Sequence, residues 1–283
     1  MHAVGKNDIR PAAVADLFYP GNPVELDYEL EKLMDEAESI DLDGEIEALI
    51  CPHAGYRYSG SVAAVAYKIL KNRKYSVIAI ISPSHREEFQ GISVFNGEAY
   101  ETPLGLVPVA SEYADALIDR DEAIISSWSG HRDEHALEVQ LPFLQKVLQE
   151  TPIIPIVIGR QDRRTSELLG EALGDLLKGS SSLIVASSDL SHHHPYDEAV
   201  KIDRGTIQLI ESFDDTSFSS ALGDRTSEAC GGGAIVAAMI ASKIEGADAV
   251  KPLLYKNSGD SSGDHSAVVG YLSAAFYRMN LCI

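Results

Sequence analysis

Three strand-like runs each end close to a histidine, and this repeated pattern constrains the fold more than any other feature of the chain. The run over 75–81 is apolar and rich in β-branched residues, as expected of a parallel strand covered on both faces. Pro83 ends it, because proline has no N–H to donate to a strand ladder, and His85 follows. Similar runs lead to His53 and His192. We therefore expect all three histidines beyond the carboxyl ends of strands, where open α/β sheets bind ligands.

Segments with helical periodicity alternate with these strands. Asn22 and Pro23 are typical of a helix start. Glycines and prolines break 89–109 into short strands, which predicts a hairpin or meander at the sheet edge. A helix is predicted over 134–144, kinked or divided at Pro142. The alternation predicts an α/β sandwich with a mainly parallel central sheet flanked by helices.

Composition narrows the class of protein. Hydrophobic residues make up 45% of the 283 residues, and no Pro/Gly/Ser-rich linker divides them, which favours one domain over 1–283. The sequence shows neither a signal-peptide core nor an apolar run of membrane-spanning length, so we expect a cytoplasmic protein. The formal net charge of −20 argues against nucleic acid and anionic membranes as partners, because both attract basic surfaces.

The histidines predict a metal or catalytic site, because neutral imidazole is a common ligand for iron, copper and zinc. Cys230 is the natural fourth member. It precedes a glycine-led helix, whose free N–H groups and dipole are expected to lower the thiol pKa. A thiolate there could be a nucleophile or a soft metal ligand, whereas a protonated Cys230 would be a small buried apolar residue. The glycines could also hold a phosphate, although no complete phosphate-binding motif is present.

Further candidates flank these residues. Asp189 lies three residues before His192 and could orient a ligating imidazole or position a bound molecule. His193 and His194 are expected at the rim of the site. Glu134 suits the start of a helix whether or not it takes part in catalysis. The three cysteines of the chain are widely spaced without a CxxC pair, which fits a reducing compartment.

Six ordered motifs, spread over nearly the whole chain, carry a family resemblance. They are Arg10-Pro11-Ala12 to Phe18-Tyr19-Pro20, Pro52–Tyr56 with Tyr58-Ser59-Gly60, Pro83-Ser84-His85, Glu134–Phe143, Ser188–His192 and Cys230-Gly231-Gly232. Together they resemble the Memo family, also known as the B member of the prokaryotic AMMECR–Memo–radical SAM (AmmeMemoRadiSam) set.

The resemblance implies a fold like that of the class III extradiol dioxygenases, in which non-haem iron lies at one end of an α/β sheet. It places His53, His85 and Cys230 on metal-binding positions, and His192 and Asp189 in the same pocket as catalytic residues. Iron or copper is the expected metal, with zinc less favoured. AMMECR-type and radical SAM proteins are the implied protein partners. Because the dioxygenases use a carboxylate where this chain has Cys230, ring-cleaving activity does not transfer directly.

Three functions follow as hypotheses. The first is a metal-dependent oxidoreductase of unknown substrate, with His192 as a base or additional ligand. The alternative is a non-catalytic metal-, peptide- or anion-binding adaptor protein, because fold alone does not establish activity. The third is a zinc hydrolase or an enzyme with a cysteine nucleophile. The partner is accordingly an unknown small molecule or a peptide.

Overall fold

The computed structural model describes residues 3–280. The strands within this range are β1 (Ile9–Arg10), β2 (Gly44–Cys51), β3 (Val77–Pro83), β4 (Ile92–Val94), β5 (Ala99–Thr102), β6 (Gly105–Pro108), β7 (Ile124–Ser126), β8 (Ile153–Ile158), β9 (Ser182–Ser187), β10 (His192–His194), β11 (Ala249–Asn257) and β12 (Val268–Met279). The α-helices are α1 (Pro23–Glu36), α2 (Tyr56–Lys68), α3 (Ser111–Ile118), α4 (Leu141–Val147), α5 (Arg163–Leu177), α6 (Tyr196–Glu211), α7 (Asp215–Gly223), α8 (Gly232–Glu245) and α9 (Ser258–Ser262). A 3₁₀ turn, Glu138–Gln140, precedes α4.

The main sheet contains nine strands within residues 3–280. Its order is β10-β12-β2-β9-β3-β8-β4-β7, with β11 paired to β12. The four central strands β2, β9, β3 and β8 are parallel, while antiparallel pairs join them to β12 on one side and to β4 on the other. The predicted α/β class with a parallel centre and flanking helices is confirmed. No helix of the described residues is both long and apolar enough to cross a membrane.

The core explains why the central strands read as unbroken apolar runs. Every residue of β3 and β9 is buried, because helices cover both faces of the sheet. On one face, α8 is apolar on nearly all sides and packs against α5. Gly170 and Gly174 of α5 permit that close approach, since a Cβ on either would come within 3 Å of Ile240 or Ile244.

The predicted hairpin exists, but it lies in a separate sheet. Strands β5 and β6 form the hairpin, and β1 pairs in parallel with β5. Only β4 of the predicted meander joins the main sheet, beside β8. Local glycine and proline signals place the turns correctly, but they carry no information on which sheet the strands join.

The predicted helix over 134–144 is wrong in its first half. Glu134 and His135 lie in an irregular loop, and helical structure begins only at the 3₁₀ turn. Pro142 therefore lies in the first turn of α4, where its missing N–H has no helical partner to lose, and it does not kink a longer helix. Glu134 of this loop also binds groups outside the segment, since its side chain accepts from His85 and its carbonyl accepts from Arg10.

Candidate metal centre

Strand order brings the predicted residues together at the carboxyl end of the central strands. β2, β9 and β3 are adjacent and parallel, so their carboxyl ends lie side by side. His53 follows β2 by two residues, Asp189 follows β9 by two, and His85 follows β3 by two. Cys230 precedes α8 and lies at the same end of the sheet, where its N–H donates to the Asp189 carbonyl at 3.1 Å.

Two histidines and the cysteine form the first donor cluster. One ligand atom each from His53, His85 and Cys230 all lie within 4.8 Å of one another. Cys230 Sγ is 3.1 Å from His53 Nε2, and the two imidazole rings are 5.1 Å apart at nearly perpendicular orientation. The separation suits three donors converging on one ion.

The protonation of His53 follows from its partners. The Ser187 hydroxyl donates to the Ala136 carbonyl at 2.6 Å, so its oxygen accepts from His53 Nδ1 at 3.0 Å. Gln140 Nε2 also donates to this oxygen, at 2.8 Å. The proton is therefore on Nδ1, and the Nε2 lone pair faces Cys230. Burial, with the neighbouring His135 and His85, holds the pKa of His53 well below its usual value, so the ring is neutral.

His85 is held in the same tautomer by a carboxylate. Its Nδ1 donates to Glu134 Oε1 at 2.9 Å, and its backbone N–H donates to Glu134 Oε2 at 2.5 Å. Burial alone would raise the pKa of Glu134, but the nearby His135 side chain and the hydrogen bonds from His85 outweigh it and lower the pKa far below its usual range. The charged carboxylate thus fixes the proton of His85 on Nδ1 and leaves the Nε2 lone pair free to bind a metal. This arrangement is common for metal-bound histidine.

The electrostatic environment of Cys230 at the start of α8 differs from the prediction. The N–H groups of Gly231 and Gly233 donate to Ser188 Oγ and Gln161 Oε1, both at 2.9 Å, and that of Gly232 donates to a backbone carbonyl. These N–H groups are therefore not available to a phosphate. Burial, followed by the charge of Asp189, raises the pKa of the Cys230 thiol, against the expected lowering. A cationic ligand is needed to favour the thiolate here.

Comparison with known proteins assigns the family. A profile described as Memo-like protein matches residues 10–275. The chain belongs to the Memo family. A MEMO1 family protein of Methanosarcina mazei is 39% identical, covering 93% of this chain and 97% of the relative. A MEMO1 family protein of Methanopyrus kandleri is 35% identical, covering 95% and 99%.

The fold is also shared with a distant solved structure. An uncharacterised protein of Escherichia coli K12 superposes with a TM-score of 0.55 at 13% identity, over 82% of this chain and 99% of the other. The match concerns the fold alone, and it is compatible with the extradiol-dioxygenase-like architecture that the family resemblance implies.

His135 of this Memo-family protein belongs to the site, although the sequence did not single it out. Its ring lies 5.3 Å from that of His53 and 4.8 Å from that of His85, and it packs on Phe18. With His85 and Glu134 it forms a second donor cluster. His135 Nδ1 is 3.1 Å from Glu134 Oε1 but lacks the alignment of a hydrogen bond. The available sequence signal is the adjacent pair Glu134 and His135, which helical periodicity instead placed at the start of a predicted helix.

The two predicted catalytic residues, Asp189 and His192, lie in different parts of the site. Asp189 Oδ1 accepts the His53 backbone N–H at 2.8 Å, and Oδ2 is 4.0 Å from His53 Nε2; burial raises the pKa of this carboxyl. It therefore holds the backbone at His53, while Ser187 orients the His53 ring. His192 belongs to neither donor cluster of the described residues. It begins β10, with Nδ1 2.8 Å from the Leu190 carbonyl, and lines an adjoining cavity with Cys230.

Proposed function

We propose that this Memo-family protein binds a redox-active transition metal, iron or copper, through His53 Nε2, His85 Nε2 and Cys230 Sγ, and acts as an oxidoreductase. One observation carries the proposal. Both imidazoles have Nδ1–H held by a dedicated acceptor, Ser187 or Glu134, so that each Nε2 lone pair is left to bind a metal, and Nε2 of His53 lies 3.1 Å from the thiol sulfur. A purely structural histidine cluster has no need of matching tautomers.

The donor set favours some metals over others. Imidazole suits iron, copper and zinc, whereas thiolate selects copper(I), zinc and thiolate-bound iron. Bound iron or copper would supply electron-transfer chemistry at this edge of the sheet, which zinc cannot. The thiolate replaces the carboxylate of the usual oxygen-activating iron site, so the proposal extends to oxidoreductase activity and not to ring cleavage.

The surrounding residues have separable tasks. Glu134 orients His85, Ser187 orients His53, and Asp189 holds the backbone at His53. With Nδ1 directed at the Leu190 carbonyl, His192 presents Nε2 as the available base of the adjoining cavity. These roles position and deprotonate a substrate without any of the four residues being a metal ligand.

Metal analysis tests the site. Untagged protein is purified without oxygen, and its metals are measured in wild type, His53→Ala and Cys230→Ser, with His194→Ala as a matched control. His194 pairs with Glu228 outside the donor clusters. We expect near-stoichiometric iron or copper in wild type and the control, and its loss in the other two. Wild type that takes up neither metal on reconstitution would contradict the proposal and favour the adaptor function.

Activity is tested separately from binding. Oxygen consumption or substrate turnover that rises with metal occupancy would support the oxidoreductase, whereas a fully loaded protein without turnover across a broad substrate screen would favour the binding protein. AMMECR-type and radical SAM partners rest on the family resemblance and remain a proposal, which co-purification from the source organism tests.

A further inference from the structure

The fourth central strand of the sheet also brings a polar side chain to the proposed metal centre. β8 ends at Ile158, and Gln161 follows three residues later, within hydrogen-bond distance of Cys230. We propose that Gln161 is a positioning residue, which fixes the turn at Cys230 and so holds the thiol where a metal ion can bind it. This role rests on the proposed function as far as the metal is concerned, whereas the fixed turn can be measured in metal-free protein.

The turn at Cys230 has little conformational preference of its own, because three consecutive glycines follow the cysteine. Close packing leaves no room for larger side chains. A Cβ on Gly231 would lie 2.3 Å from the Ser187 carbonyl oxygen, and a Cβ on Gly233 would lie 2.8 Å from Ser166 Oγ. Glycine loses more conformational freedom on ordering than any other residue, so contacts from outside the turn must keep it in one conformation.

The Gln161 amide makes two hydrogen bonds across this turn. Its Nε2 donates to the Cys230 carbonyl at 2.7 Å, and its Oε1 accepts the Gly233 N–H at 2.9 Å. The helix itself supplies neither partner, since Gly233 lies in the first turn of α8 and Cys230 precedes the N-cap residue Gly231. Because a carbonyl only accepts and an N–H only donates, these partners also determine the orientation of the amide. One side chain thus holds both ends of the glycine turn.

These two bonds complete the fixing of the cysteine. On the amino-terminal side of Cys230, its N–H donates to the Asp189 carbonyl at 3.1 Å, and its Sγ accepts the Asp189 N–H at 3.2 Å. On the carboxyl-terminal side, Gln161 holds the carbonyl. With both peptide groups held, the sulfur is kept 3.1 Å from His53 Nε2. Without Gln161, the turn would have to be ordered when the metal binds, and this entropic cost would weaken binding.

Amide hydrogen exchange tests the turn in metal-free protein. Gln161→Met keeps a side chain of similar length but removes both hydrogen bonds. The matched control is Gln145→Met. Gln145 of α4 also makes two bonds, to the Thr102 hydroxyl at 2.6 Å and to the Gly105 carbonyl at 3.2 Å, and it belongs to neither donor cluster of the described residues.

The exchange rate of the Gly233 N–H is measured relative to the amides of the central strands. We expect it to rise about fivefold or more in Gln161→Met, because the N–H loses its acceptor, and to stay at the wild-type value in Gln145→Met. An unchanged rate in Gln161→Met, or an equal increase in both variants, would overturn the proposal.

Cobalt(II) then reports the position of the sulfur. Thiolate bound to cobalt(II) gives a charge-transfer absorption in the near ultraviolet. At saturating metal, a loss of fold stability leaves this absorption per bound ion unchanged, whereas displacement of the sulfur alters it. We expect Gln161→Met to bind cobalt(II) about tenfold more weakly in competition with a chelator, and to show a weaker charge-transfer band per bound ion. Gln145→Met should match wild type in both measurements.

The two experiments fail separately. Wild-type affinity and a wild-type band in Gln161→Met would contradict the positioning role, even if the turn exchanges faster. Wild type that takes up no cobalt(II), iron or copper would contradict the proposed metal centre, while the exchange experiment still decides whether Gln161 holds the turn.

Discussion

Ser187 shows how a single residue decides the chemistry of a site. Its hydroxyl has one proton, and donation to the Ala136 carbonyl leaves only acceptor capacity toward His53. Gln140 completes the network, with its amide oxygen accepting from Tyr67. A serine at the end of β9 thus determines which nitrogen of His53, contributed by β2, faces the thiol. The sequence alone offers Asp189 either for that orienting role or for positioning a bound molecule.

Glu134→Gln should reduce metal affinity about 10- to 100-fold while leaving the fold intact. Glutamine keeps the size of the side chain, but it removes the charge that four hydrogen bonds now share, including that from His85 Nδ1. The measurement is competition with a chelator of known affinity. Glu198→Gln, an exposed substitution on α6, is the control. A metal affinity of Glu134→Gln equal to that of wild type would contradict a role of the Glu134 charge in metal binding.

At the scale of elements, the amino-terminal segment is tied to the loop that carries Glu134. The Arg10 guanidinium, at the end of β1, pairs with Glu138 and donates to the carbonyls of His131 and Glu134. Glu138 also accepts the backbone N–H groups of Ala13 and Val14. The family motif around Arg10 is therefore a structural support for the loop that carries Glu134.

Glu138→Gln should destabilise the fold by about 3–5 kcal/mol, because it leaves the buried Arg10 charge without a counter-charge. Urea unfolding measures the free energy. The matched control is Glu31→Gln, since Glu31 is an exposed partner of Lys146 at 3.1 Å and should cost under about 1 kcal/mol. Equal effects of the two substitutions would mean that the buried pair contributes no more than a surface pair.

At the scale of the whole molecule, the two ends of the sheet differ in charge chemistry. The carboxyl end carries the histidines, whereas Glu47 of β2 and Glu245 of α8 line a cavity at the opposite end. Burial raises the pKa of each carboxyl to about 7, and for Glu245 the nearby Glu47 adds to the increase. Glu245 also lies in the last turn of α8, where the helix dipole disfavours a negative charge.

This pair predicts a loss of stability as pH rises. The pKa of a glutamate in the unfolded chain is about 4.3, whereas the pKa of Glu47 and of Glu245 in the folded protein is about 7. The folded state therefore binds more protons than the unfolded state between these pH values. The contribution is complete below the unfolded pKa and disappears as pH rises through 7. The double variant Glu47→Gln/Glu245→Gln should flatten the fall in unfolding free energy between pH 5 and 8. The exposed control Glu211→Gln should keep the wild-type slope, and a double variant with that slope would contradict the assignment.

Much of the fold and part of the site could be predicted. The cap at Asn22 is present, with its side chain accepting the N–H groups of Val24 and Glu25, because capping is a local interaction. The juxtaposition of His53 and His85 could be expected from strand ends. That His192 lies beside Cys230 but outside both donor clusters could not, because it belongs to a short antiparallel strand paired with β12.

The sequence by itself determined the buried strands, the alternation with helices and the delivery of histidines beyond strand ends, because residue periodicity and proline act over a few neighbouring positions. Only the tertiary structure decided that Ser187, Glu134 and His135 surround the proposed metal ligands, and that the described residues lining the cavity beside Cys230 include no lysine or arginine. These partners lie tens to more than a hundred positions apart. Their contacts depend on strand order and loop conformation, which no local pattern encodes.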